Sequence, residues 1–368
     1  MEHRRLRRTI HIGLAITICS IAFIGSKASA DTTSDPDLAA APPGPAAPAT
    51  SVHHYPIGGP VRPARIHASY TAGALTYHGG PVMRTTRVHL FFWDPSGTSF
   101  PAAYTNGIVR YFRDLIAVQP ARRNVYSVAR QYGAKYQMTE PALCLVHTSK
   151  CAKAWIIRDA YPNFGSGDCT VNAGWSACLT QTDMTNELEH IRTSELHFGT
   201  GTTDISFVFL PPNVDTCDPA CFSTPAFCAY HSAYASGTSG VVWANMPYVP
   251  GSACDINEYP NGSVATTPAD GEYSVISHEH NEAMTDPLPG SGWFNGDTAH
   301  ENGDQCAYVF DQANTIGFGV SPGTGPLSGT PGHYWDQKIN HHKYLLQEEW
   351  SNSFFAASGN TVGCLQHG

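Results

Sequence analysis

Apolar side chains are gathered into a few short runs, separated by long stretches rich in Gly, Pro and Cys. Arg87-Val88-His89-Leu90-Phe91-Phe92-Trp93 is almost continuously apolar and is stopped by Asp94-Pro95, the pattern of a strand covered on both faces. Ile108, Tyr111, Phe112, Leu115 and Ile116 then recur at helical spacing. A second helix is predicted over Asp183 to His197 through Leu188, Ile191 and Leu196. Strands are predicted at Asp204 to Leu210 and Val241 to Met246. The stretch from Cys144 to Cys178 reads as irregular, and Phe227 to Ser232 as part of a disulfide-rich loop. This order predicts an α/β or α+β fold, a mixed sheet with packed helices and long disulfide-bonded loops.

The two later strands lead into Val275-Ile276-Ser277-His278-Glu279-His280-Asn281-Glu282-Ala283-Met284-Thr285-Asp286-Pro287. A helix is predicted here, with Thr267 as N-cap, Pro268 at the first helical position and Asp270 three residues after the cap. Pro287 disfavours helical backbone at Asp286, so the helix should stop near Thr285. At about 100° per residue, Glu282 lies about 40° from His278 and Glu279 about 100° away, so the three share one quadrant. His280, about 200° from His278, faces the opposite way and reads as structural. The pattern is H-E-x-x-E, the zinc-peptidase helix signature with glutamate in place of the second histidine; in the parent pattern the i, i+4 pair holds the metal and the intervening glutamate activates water. Strands followed by such a helix match the order of zincin-like metallopeptidases.

A mononuclear site needs a third ligand. Trp293 to Cys306 offers Glu301 and Asp304, with His300 behind them; by composition alone the same stretch would be a solvated Asx/Gly turn. His231 or Tyr308 is a candidate second donor to an oxyanion. Two carboxylate ligands lower the net positive charge at zinc, which makes manganese or calcium competitive.

Residues 1–30 carry Arg4, Arg5, Arg7 and Arg8, an apolar run from Ile10 to Ile24 and Ala28-Ser29-Ala30, a secretory signal peptide with its cleavage site. Without it the chain has 16 basic against 29 acidic residues, net −13. That balance argues against nucleic acid or anionic membrane as partner. Residues 31–66, rich in Ala, Pro, Ser and Thr, read as a flexible leader or linker, with a cleaved propeptide as the alternative. The globular part is expected over 67–368. Ten cysteines remain after export and read as up to five disulfides; Cys144 with Cys151, Cys169 with Cys178 and Cys306 with Cys364 are trial pairs, and a zinc site at Cys217, Cys221 and Cys228 is the competing use.

Leu75-Thr76-Tyr77-His78-Gly79-Gly80-Pro81-Val82, the Val88 to Trp93 strand, H-E-x-x-E, Asp286-Pro287 and Glu301, Asp304 and Cys306 in E-x-x-D-x-C together resemble a secreted family, the plant phosphate-induced (EXORDIUM-like) proteins and their uncharacterised bacterial counterparts. The resemblance implies that His278, Glu279, Glu282, Glu301 and Asp304 meet in space, and implies an exported, wall-associated protein more directly than an enzyme. His280 and Met284-Thr285 depart from the family's more apolar side chains, which leaves open that His280 points into the site.

The functional expectation is a secreted metal-dependent hydrolase, a zinc metallopeptidase-like protein. His278 and Glu282, with Glu301 or Asp304, would hold the cation; Glu279 would be the general base; the substrate would be a peptide or protein. The alternative is a non-catalytic extracellular module, with a structural metal or polar network, that binds a cell-wall component. Glu279 and Glu282 leave little room for a sugar ring between them, which disfavours a glycosidase.

Overall fold

The computed structural model describes residues 53–54, 73–95, 99–118, 123–134, 154–157, 169–170, 174–196, 200–218, 220–223, 227–236, 239–313 and 323–368. The chain divides into residues 1–42, which lie outside the described residues together with the expected signal peptide, and residues 43–368. In chain order the elements are β1 (His53–His54), β2 (Thr76–Tyr77), β3 (Arg87–Trp93), α1 (Ala102–Ala117), β4 (Ala154–Ile157), β5 (Ala177–Thr180), α2 (Gln181–His190), β6 (Gly201–Phe209), β7 (Val214–Asp218), β8 (Ala220–Cys221), β9 (Tyr230–Ser236), β10 (Ser239–Met246), α3 (Tyr273–Thr285), β11 (Trp293–Phe294), β12 (Gln337–Ile339), β13 (His342–Tyr344), β14 (Glu349–Trp350), α4 (Asn352–Ala357) and β15 (Cys364–Leu365). No described helix is long and apolar enough to cross a membrane.

The main sheet runs β1-β9-β10-β6-β3-β4. Strands β10, β6, β3 and β4 are parallel; β9 is antiparallel to β10, and β1 is antiparallel to β9. The expected mixed α/β arrangement is therefore present. The apolar runs lie where their pattern predicts, because β3 and β6 are buried on both faces and only continuous apolar sequence fills such positions. Phe112 of α1 meets Phe207 of β6 at 5.4 Å between ring centroids, which seats α1 on the sheet.

Four local expectations change. The stretch read as irregular contains β4, which extends the sheet beside β3, and part of the expected disulfide loop is β9. Strand β9 escapes an apolar pattern because His231 and Ser232 occupy fully buried positions. Helix α2 begins at Gln181, where Thr180 and Asp183 form a reciprocal capping box, and passes into a π-helical turn at Ile191–Leu196. Finally, Thr267 and Pro268 open a 3-10 turn, Pro268–Gly271, rather than α3 itself. Asp270 accepts hydrogen bonds from the Asn261 amide groups and the Thr267 hydroxyl, so the capping residues are used in the loop and α3 starts later, at Tyr273.

The end of α3 agrees with the Pro287 signal. Thr285 is its last residue, and the Asp286 carboxylate accepts from the backbone N–H groups of Gly290, Ser291 and Gly292, turning the chain away. Cys169–Cys178 and Cys306–Cys364 are paired as expected; Cys217–Cys221 and Cys228–Cys254 complete the bridges among the described residues, so Cys228 is bridged away from Cys217 and Cys221, while Cys178, Asp215, Cys217 and Cys221 keep donor atoms within 4.8 Å of one another. Cys144 and Cys151 lie outside the described residues.

Candidate metal centre

Every residue of α3 is buried, although six of its thirteen are His, Glu, Asn or Ser at 0% exposure. Such a helix does not owe its position to an apolar stripe; its polar side chains need partners from the elements around it. Val275, Ile276, Ala283 and Met284 join the core. His280 goes with them: its ring packs on Phe112, Tyr126 and Phe207, and Nδ1 lies 3.2 Å from the Tyr126 hydroxyl. Burial alone pushes its pKa down to about 3, so the ring is neutral. The question left by the family resemblance is thereby answered, since His280 faces the aromatic core.

The opposite side of α3 carries His278, Glu279 and Glu282, and three other elements close over it. Strand β9 brings His231, whose Nδ1 lies 3.4 Å from Glu279 Oε2 and 3.5 Å from Glu282 Oε2. Its Nε2 lies 3.1 Å from the Asp286 carbonyl oxygen and 3.5 Å from Glu301 Oε2. The loop after β11 brings Glu301 and Asp304. His278 Nε2 is 3.1 Å from Glu282 Oε1 and 3.8 Å from Asp304 Oδ1. The Asp304 backbone N–H donates to Glu282 Oε1 at 2.9 Å, and the Glu301 N–H donates to Asp304 Oδ2 at 3.2 Å. His300 is only part-buried.

Gly303 is what lets this loop come so close. A Cβ there would lie 2.8 Å from His278 Nδ1 and 2.9 Å from Glu282 Oε1, too near for any side chain. The third element is the segment leading into β14. The Gln347 amide nitrogen lies 2.9 Å from His278 Nδ1 and donates to the Gly303 carbonyl at 3.0 Å, which fixes the imidazole plane and leaves Nε2 toward the carboxylates. Glu349, two residues along, is fully buried, close enough to Glu282, Asp304 and Glu279 for their charges to act on it. The Trp350 N–H donates to the Asn302 carbonyl, and Cys306–Cys364 ties the Glu301 loop to β15, the partner of β14.

The sequence-derived set His231, His278, Glu279, Glu282, Glu301 and Asp304 therefore converges. Tyr308 does not join it; its hydroxyl lies 3.2 Å from Cys228 Sγ. Gln347, Gly303 and Glu349 are additional. No local sequence signal marks them.

Two donor groups of the kind that hold a cation overlap here, His231 with Glu282 and Glu301, and His278 with Glu279 and Glu282, each with donor atoms within 4.8 Å of one another. Separations of 3.1–3.5 Å between nitrogen and oxygen suit ligands held at about 2.0–2.2 Å from a shared ion. Neither Glu301 oxygen, nor Glu279 Oε1, nor Glu282 Oε2, nor either Glu349 oxygen receives a hydrogen bond, although all are buried. Burial raises Glu301 and Glu349 well above the usual carboxylate range, and the negative charges around each add to this. The Gln347 amide pulls Glu349 the other way, but its N–H groups are directed at His278 and Gly303. Burial also raises Glu279, against the pull of His231 and His278. Against the same burial, the two histidines hold Glu282 low, while the carboxylates raise both His278 and His231. A divalent cation fits this donor set, because it would satisfy oxygen atoms that no N–H or O–H reaches.

Compared with models of known protein families, with curated proteins and with solved structures, the chain finds no match.

Proposed function

We propose that this chain is an exported metal-dependent hydrolase acting on peptide bonds, with zinc, or manganese or calcium in its place, held by His278 and Glu282 together with Glu301. The observation that carries the reading is the H-E-x-x-E quadrant of α3 facing a buried set of carboxylate oxygens without donors. When bound, the cation would supply the positive charge that polarises a carbonyl and makes a water acidic. Glu279 would act as the general base: its Oε1 is uncommitted, and burial makes its carboxyl a better proton acceptor than an ordinary glutamate. His231, expected as an oxyanion donor, is close enough to Glu282 and Glu301 to be a ligand instead.

Strand β9 supports a peptide substrate. It carries His231 and accepts an added antiparallel strand on its outer side, His53 pairing with His231 and His54 with Tyr230. The chain's own β1 occupies this edge at His231, so extended backbone fits beside the cluster, and a substrate strand would take the place of β1 there. Export through a signal peptide and a wall-associated setting, as the resemblance to the phosphate-induced proteins implies, belong to the same reading.

The test is cleavage of casein or a peptide library by wild type and Glu279→Gln, with metal content measured on both. The expected outcome is a loss of about 10²–10⁴-fold in the variant with its metal retained. Equal cleavage, or none in either protein, removes the peptidase reading. A second reading has one observation in its favour: His231, His278, Glu279, Glu282 and Glu301 are all 0% exposed. In it the same residues hold a structural cation in a non-catalytic module, and His278→Ala would melt at lower temperature with no activity to lose.

A further inference from the structure

One cation leaves part of the cluster unexplained. A site made of His278, Glu282 and Glu301, with Glu279 as base, makes no use of Glu349, which lies fully buried with neither oxygen receiving a hydrogen bond. Its neighbour Glu348 shows how this fold treats a structural carboxylate: the backbone N–H groups of Thr324 and Gly325 donate to it at 2.8 and 2.7 Å. Glu349 has no such donors, and the charges of Glu282, Asp304 and Glu279 act on it.

The charge count points in the same direction. Glu279, Glu282, Glu301, Asp304 and Glu349 bring five carboxylates to two histidines. Among the described residues no lysine or arginine forms an ion pair with Glu279, Glu282, Glu301 or Glu349. In the protonation state that cation binding requires, with the five carboxylates ionised and both histidines neutral, one divalent ion leaves three negative charges in a buried site, and two leave one. Buried charge is tolerated when it is neutralised locally.

Glu282 has the geometry of a bridge. Its Oε1 is directed at His278 Nε2 and its Oε2 at His231 Nδ1, at 3.1 and 3.5 Å, so one carboxylate spans both histidines. His231 Nε2 lies 3.1 Å from the Asp286 carbonyl oxygen, an acceptor of the kind that orients a metal-bound imidazole, and 3.5 Å from Glu301 Oε2, while His278 Nδ1 lies 2.9 Å from the Gln347 amide nitrogen. The two overlapping donor groups, His231 with Glu282 and Glu301 and His278 with Glu279 and Glu282, share this same glutamate, and Asp304 Oδ1 approaches His278 Nε2 from outside the second group at 3.8 Å.

We propose that the cluster binds two divalent cations bridged by Glu282, one with His231 and Glu301 and the other with His278, Asp304 and Glu349. The proposal rests on the metal-dependent reading above and concerns the number and ligands of the ions, not the substrate. Each ion then has one nitrogen and at least two oxygen donors. Glu279 stays beside the bridge as the base, which suits a paired site in which attacking and leaving oxygens are both stabilised.

The experiment uses the exported chain, stripped with a chelator, re-equilibrated separately with Zn(II) and with Mn(II), desalted and analysed for metal. Two equivalents per chain are expected with each metal, and the manganese form should give an exchange-coupled electron paramagnetic resonance spectrum. Glu349→Gln and Glu301→Gln should each fall to one equivalent. One equivalent in wild type, with an isolated-ion spectrum, overturns the two-cation proposal and leaves the single-cation hydrolase intact, whereas none removes both. Two equivalents that persist in both variants overturn the assignment of ligands. The wild-type count and spectrum decide the number of ions even if a variant does not fold.

Discussion

Two acidic regions of this protein are treated in opposite ways. In the loop before α3 and in the segment packed near it, Asp255, Glu258, Asp270 and Glu348 are each met by backbone or side-chain donors: Gly251 and Asn257 at Asp255, Gly332 and Tyr334 at Glu258, Asn261 at Asp270, and Thr324 and Gly325 at Glu348. Around α3, Glu279, Glu301 and Glu349 are at least as deeply buried and leave oxygen atoms unmet. The first group is structural, because its hydrogen bonds repay burial within the chain. The second concentrates unmet carboxylate oxygens, from Glu279, Glu282, Glu301 and Glu349, in one place, which is the arrangement a cation would complete.

This contrast can be broken from either side. The largest stability effect is expected at the satisfied side: Glu348→Ala strands the Thr324 and Gly325 amides and should cost about 3–5 kcal/mol in chemical denaturation. Next is Glu272, a buried carboxyl outside the cluster that accepts from the Val249 N–H, and whose pKa burial pushes up to about 8 from an ordinary 4.5. Folded protein keeps this proton while unfolded chain releases it, so between pH 4.5 and 8 the unfolded state binds fewer protons and stability falls as pH rises. Glu272→Gln should remove that decline, gaining on wild type up to pH 8 by about 2–4 kcal/mol, read from denaturation midpoints across the range.

On the incomplete side the sign reverses. In chelator-treated protein Glu349→Gln should be stabilising by about 1–2 kcal/mol at neutral pH, because burial and the neighbouring carboxylates force a proton onto Glu349 in the folded state that the unfolded chain releases. With metal present the same variant should lose that advantage. The smallest effect is expected at His280, neutral among aromatic rings: His280→Phe should change stability by about 1 kcal/mol and leave bound metal unchanged, whereas His278→Ala should lower metal content.

Much of the framework is legible in the sequence alone. Strands β3, β6 and β10 and helix α1 follow from apolar runs and helical spacing, and Pro287 marks the end of α3 because its constraint is local. The start of α3 is not legible, since Thr267-Pro268-Ala269-Asp270 is a genuine start signal whose side chains are taken up by Asn261 and a 3-10 turn. Strand β9 is hidden for a related reason. His231 and Ser232 sit where a buried strand would normally be apolar, so the histidine that joins the α3 cluster itself erases the pattern. His278, Glu279 and Glu282 are readable because one helix turn sets their spacing, and Glu301 and Asp304 because they follow closely. Glu349 lies far along the chain, and its approach depends on Gln347, Asn302 and the Cys306–Cys364 bridge, none of which leaves a local mark.

The claim that the α3 cluster is completed by a cation is tested most directly by melting the purified chain before and after chelation, with metal analysis on the same samples. A bound divalent ion, and a fall in melting temperature on the order of 5–10 °C on its removal that is restored by adding it back, is the predicted result. A chain that carries no metal, takes none up, and melts identically with and without chelator would contradict the account.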